Sequence, residues 1–94
     1  MGLVEDIDEA LRLINRAADK FHARAISTLG FMYKEGWKVP QDYVTAHKWY
    51  NIGASLGDDK AKYERDDVAK KMMPSQLADA QKLAREWMEA RKKR

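Results

Sequence analysis

Apolar residues fall at three- and four-residue steps along nearly the whole chain, which is the spacing of one face of an α-helix. Ile7, Ala10, Leu11, Ile14, Ala17, Ala18 and Phe21 mark a first helix, and Ala25, Leu29, Met32 and Tyr33 a second. Gly36 is placed to end that second helix, because glycine takes the left-handed conformation that closes a helix. A third starts near Gln41, where a preceding proline and Asp42 in the first turn suit a helix N-terminus. It carries Ala46, Trp49, Tyr50 and Ala54 to a stop at Gly57. A fourth opens on Asp58 or Asp59 and runs to about Met72; Pro74 begins a fifth, with Leu77, Ala80, Ala84, Trp87 and Met88 on one face. The pattern therefore predicts about five helices with short connections and no strand.

The pattern also repeats. Moved forward by 36 positions, Ala10, Leu13, Ile14, Ala17, Ala18 and Ala25 land on Ala46, Trp49, Tyr50, Gly53, Ala54 and Ala61, small on small and large on large. The unit from Ala25 to Ala61 contains Leu29-Gly30, Tyr33, Gly36, Val39-Pro40-Gln41-Asp42-Tyr43, Ala46, Trp49-Tyr50, Ala54 and Gly57. It resembles a Sel-1-like repeat, a helix pair related to the tetratricopeptide repeat. Upstream, Leu3 to Asp6 stand where the family's Val-x-x-Asp entry to a second helix belongs. The resemblance implies an all-α, short right-handed superhelix of stacked antiparallel helix pairs. Residues 1–22 would be a half repeat, the second helix of an incomplete unit, and 23–57 a complete repeat. Residues 58–94 would be a diverged C-terminal capping pair with a basic tail. The chain then begins within a repeat, either cut from a longer solenoid or evolved to start there.

Three departures from the family pattern bear on local structure. Phe21 takes the turn position that Gly57 holds one period later, so the turn there competes with a single helix from about Val4 to Glu35. Lys38 replaces the second glycine of a Gly-x-Gly-Val loop; at Phe21 a left-handed backbone would cost the bulky residue roughly 1–2 kcal/mol, so the turn there is expected to take another shape. Met73 stands where the family's capping helices usually place threonine before the proline. A missing hydroxyl cap costs about 1 kcal/mol, so Met73→Thr should stabilise.

Composition agrees with one small helical domain: 94 residues, 45% apolar and 35% charged, with two prolines and five glycines. A chain of this size buries only roughly 60–65% of its unfolded surface, so its core is thin. The absence of cysteine excludes disulfides, thiolate zinc sites and a cysteine nucleophile, and separates the chain from the disulfide-stapled branch of the family. No apolar run approaches the roughly 18 residues of a membrane span, and Met1 to Ala10 lacks the basic and apolar parts of a signal peptide. The default expectation is a cytoplasmic chain unless a secreted parent supplies a leader.

Little in the sequence looks like catalysis, and no cofactor or metal is expected. His22 and His47, the two histidines, lack a carboxylate or second histidine at the helical i+4 spacing of a metal site, so packing or surface roles fit better. Ser27, Ser55 and Ser75 lack a nucleophile elbow. Glu5-Asp6, Asp58-Asp59 and Asp66-Asp67 suit helix starts and solvated positions rather than an acid and base pair. Gly36 and Gly57 belong to no phosphate loop. Trp49 and Tyr50 fall at packing positions. The expectation is a noncatalytic protein-protein interaction module or adaptor.

The tetratricopeptide resemblance places a binding face on the inner side of the first helix of each pair. Its residues would be Arg24, Ser27, Phe31, Lys34 and Glu35, and one period later Lys60, Tyr63, Asp67, Lys70 and Lys71. Five bases and two aromatics against two acids suit an acidic peptide or C-terminal segment. The alternative is a structural or oligomerising fragment with no ligand of its own. Val4, Ile7, Leu11 and Ile14 form an apolar arc that would face a preceding helix, so the chain is expected to pair there with another copy or with upstream repeats. The four bases of the tail Arg91-Lys92-Lys93-Arg94 account for the whole of the formal charge of +3. Such a tail can touch phosphates, but it also complements a helix C-terminus, and the latter reading is preferred over nucleic-acid binding.

Overall fold

The computed structural model describes Arg16 and residues 22–92. Among these residues there are four helices and no strand: α1 (Ala23–Glu35), α2 (Tyr43–Ser55), α3 (Asp59–Ala69) and α4 (Pro74–Lys92). The expected helix upstream, with Val4, Ile7, Leu11, Ile14 and Phe21, lies outside the described residues. His22 nevertheless decides between the two expectations for this region. Its extended backbone (φ −79°, ψ 100°) interrupts the helix before Ala23, so no single helix runs through to Glu35.

Each connection is built by the residues that the sequence places there. Gly36 is left-handed at φ 68°, which lets Trp37 N–H reach back to the Met32 carbonyl at 2.9 Å. The loop then satisfies two more carbonyls at the end of α1: Asp42 N–H donates to Tyr33 O at 2.9 Å and Gln41 Nε2 to Lys34 O at 2.8 Å. Lys38 adopts φ 65°, so the loop keeps its second left-handed turn without the glycine. Asp42 caps α2 by accepting from Thr45 N–H, and Asp58 caps α3 by accepting from the Lys60 and Ala61 N–H groups.

The fourth expected helix is shorter than the sequence pattern indicates, ending at Ala69 rather than near Met72. Lys71 and Met72 instead donate to carbonyls three residues back, Val68 and Ala69, in tightened turns. Pro74 accounts for this, because it disfavours helical backbone at the residue before it. Met73 holds the N-cap position of α4: its carbonyl accepts from Leu77 N–H at 3.0 Å, and its N–H donates to Gln76 Oε1 at 2.8 Å. This is one half of a capping box. Met73→Thr supplies the other half at an exposed site, so a gain of about 1 kcal/mol in urea unfolding is expected. A lower unfolding midpoint for the variant would refute this capping assignment.

Helix α2 is the hub, packed against α1, α3 and α4. On one side Trp49 and Ile52 join Ile26 and Leu29 of α1 and Ala84 of α4, with Trp87 and Met88 at the margin. On the other, Ala46 and Tyr50 join Ala61 and Val68 of α3. Small residues set how closely the helices approach: a Cβ on Gly30 would lie 2.8 Å from the Tyr50 ring.

Candidate peptide groove

Helices α1 and α3 stand side by side over α2 and leave an open groove of about 710 Å³ between them. Arg24, Ser27, Phe31 and Lys34 line its α1 wall, Asp58, Lys60 and Glu64 its α3 wall, and Tyr50 and Ala61 also line it. Phe31 is half exposed, while Tyr50 is buried to 2%. The groove therefore offers aromatic surface between charged walls.

Two polar contacts bridge the walls. Ser27 Oγ donates to Asp58 Oδ2 at 2.6 Å, and Lys34 Nζ donates to Glu64 Oε2 at 2.7 Å. Lys34 also lies 3.6 Å from Glu35 and 5.9 Å from the Phe31 ring centre. Its pKa is raised, chiefly by the hydrogen bond it donates to Glu64, so it is a cation throughout the physiological range. Burial pushes the Tyr50 phenol well up, and the charges of Glu64 and Glu35 push the same way, so Tyr50 stays protonated.

Of the ten expected binding residues, the groove gathers Arg24, Ser27, Phe31, Lys34 and Lys60, while Glu35 touches it only through its pairing with Lys34. It does not gather Tyr63, Asp67, Lys70 and Lys71. Tyr63 is 70% exposed, Lys70 pairs with Asp67 at 3.7 Å, and Lys71 lies over the Tyr43 ring at 5.7 Å. The reason is register. A shift of 36 finds residues in equivalent positions of successive units, whereas residues facing across the groove are separated by 31 (Ser27 and Asp58) and 30 (Lys34 and Glu64). Helix α1 thus ends opposite the middle of α3, and the groove lining on α3 stops at Glu64. The period alone missed Tyr50, Asp58 and Glu64; only Asp58 carried a signal, as a helix-start acid beside Gly57.

His47 lies outside the groove and is buried to 4% exposure, with no hydrogen-bond partner on Nδ1. Burial lowers its pKa below the ordinary 6.5; the Arg65 charge adds to this and Asp66 opposes it. Folding thus favours the neutral ring. The corresponding stability is complete above pH 6.5 and declines as pH falls from there through the lowered folded value. Unfolding midpoints of wild type and His47→Gln, compared from pH 7.5 to about pH 5, should show an acid-side loss that is smaller in the variant. Parallel curves for the two proteins would contradict it.

Among the described residues no group of three or more His, Asp or Glu is placed to hold a metal, and no helix is long and apolar enough to cross a membrane. The Sel1 repeat family profile matches residues 1–20 and 23–58, more than half of the chain. The chain is a Sel1 repeat protein. Sel1 repeats form a noncatalytic scaffold family whose members generally mediate protein-protein contacts. A similar protein is chitin synthase regulatory factor 3 of Schizosaccharomyces pombe, 39% identical over 62 residues. That match covers 66% of this Sel1 chain but only 7% of the fission-yeast protein.

Proposed function

We propose that this Sel1 protein is a noncatalytic interaction module that holds a segment of a partner protein in the groove between α1 and α3. The observation that carries this reading is Phe31, an aromatic ring left 48% exposed on a groove wall although the adjoining core is closed. Burying such a ring against a ligand is favourable by roughly 25 cal/mol per Å² of apolar area. The name of the fission-yeast relative, a regulatory factor, accords with action through protein contact. In this reading residues 1–22 and 58–94 flank the central unit 23–57 as half repeat and cap.

The test is selection of extended peptides from a random display library on wild type and on Phe31→Ala. Phe31 contributes little to the core, so the variant should keep its stability within about 0.5 kcal/mol. Selected peptides are expected to bind wild type and lose binding to Phe31→Ala; equal binding by both would remove the groove from consideration.

A second reading rests on the apolar arc Val4, Ile7, Leu11 and Ile14, which gives the chain a self-association surface. It requires a mass above the monomer at high micromolar concentration, reduced by Leu11→Lys. A constant monomer mass would dismiss it.

A further inference from the structure

The charges of the groove are unevenly committed. Lys34 is held by Glu64 and Glu35 at one end. At the other, Asp58 accepts from the Lys60 and Ala61 N–H groups and from the Ser27 hydroxyl, so both its oxygens are engaged. Arg24 and Lys60 remain. Both are exposed groove residues, one on each wall, and neither makes an ion pair or side-chain hydrogen bond among the described residues. Both sit in the first turn of their helices, where the helix dipole adds positive potential.

Resting on the groove reading above, we infer that the bound segment is an extended stretch with two adjacent acidic residues, one carboxylate turned to Arg24 and the other to Lys60. Successive side chains of an extended chain point to opposite sides, so neighbouring residues meet opposite walls. The spacing to the aromatic wall follows from helix geometry. Arg24 and Phe31 are seven residues apart on α1, a rise of about 10 Å, which an extended chain covers in about three residues. The acidic pair should therefore lie about three residues from an apolar residue that contacts Phe31.

The same display library selected on wild type and on the double variant Arg24→Glu, Lys60→Glu tests this. Both changes are at exposed positions, and thermal unfolding beside the selection establishes that the variant folds. Wild type should enrich adjacent Asp or Glu about three residues from an apolar side chain, and the variant should enrich Lys or Arg in their place. A synthetic peptide of the wild-type consensus should bind the variant about tenfold more weakly, and should bind wild type more weakly as salt rises. If the selected peptides are neutral yet depend on Phe31, the acidic-pair inference is overturned while the groove reading stands. If none depends on Phe31, both fall.

Discussion

Trp49→Ala is expected to destabilise the protein by about 3–5 kcal/mol, the range for truncating a large buried aromatic. Trp49 is 7% exposed and packs among Ile26, Leu29 and Ile52. Its ring also meets Trp87 edge to face, with centres 5.5 Å apart and planes at 79°. Such a pair adds about 0.5–1.5 kcal/mol to the area it buries. Lys48 Nζ lies 4.2 Å from the same ring centre. Removing the indole therefore opens a cavity where α1, α2 and α4 meet. A 94-residue chain has a total stability of only roughly 5–14 kcal/mol, so the variant should melt more than about 10 °C lower or not fold at all. Trp37→Ala provides the contrast. Trp37 is 50% exposed in the α1–α2 loop and touches Lys38, so its loss should stay within about 0.5 kcal/mol. Urea titrations followed by far-UV circular dichroism read both variants, and similar midpoints for the two would contradict this account of the core.

The burial of Trp49 was legible from spacing. Trp49 falls three residues after Ala46 on a helical stripe, and the structure buries both. The starts of α2 and α4 were also legible, because Asp42 and Pro74 have strong conformational preferences of their own. The end of α3 was not. The pattern continues to Met72, and only the proline two residues later tightens the last turn. The groove was half legible for a related reason. The tetratricopeptide resemblance put Arg24, Ser27, Phe31 and Lys34 on one face of α1, where they line one wall, but the opposite wall depends on how far α3 is offset along its neighbour. That offset is set by packing around Gly30 and Gly53, and no single helix contains it.

Gly53→Ala tests the offset directly and is expected to cost about 1–2 kcal/mol. A Cβ on Gly53 would sit 2.5 Å from Ser27 Oγ, with Ala23 O and the Ala61 Cβ each at 3.4 Å. The latter two distances are tolerable, so the hydroxyl is the obstacle. It cannot turn aside freely, because its single proton is shared between Asp58 Oδ2 at 2.6 Å and Ala23 O at 3.0 Å. Overpacking of this kind costs about 1–3 kcal/mol, against which alanine recovers roughly 0.5–1 kcal/mol of helix propensity relative to glycine. Ser27→Ala alone should cost about 1 kcal/mol through the lost hydrogen bond. Combined, the two changes should be less damaging than their sum, because removing the hydroxyl makes room for the new methyl. A double-mutant cycle in urea should return a favourable coupling of about 1 kcal/mol or more. Strict additivity would mean that α1 does not lie on Gly53 in the register described, and the Ser27–Asp58 and Lys34–Glu64 pairs that close the groove would lose their geometric basis with it.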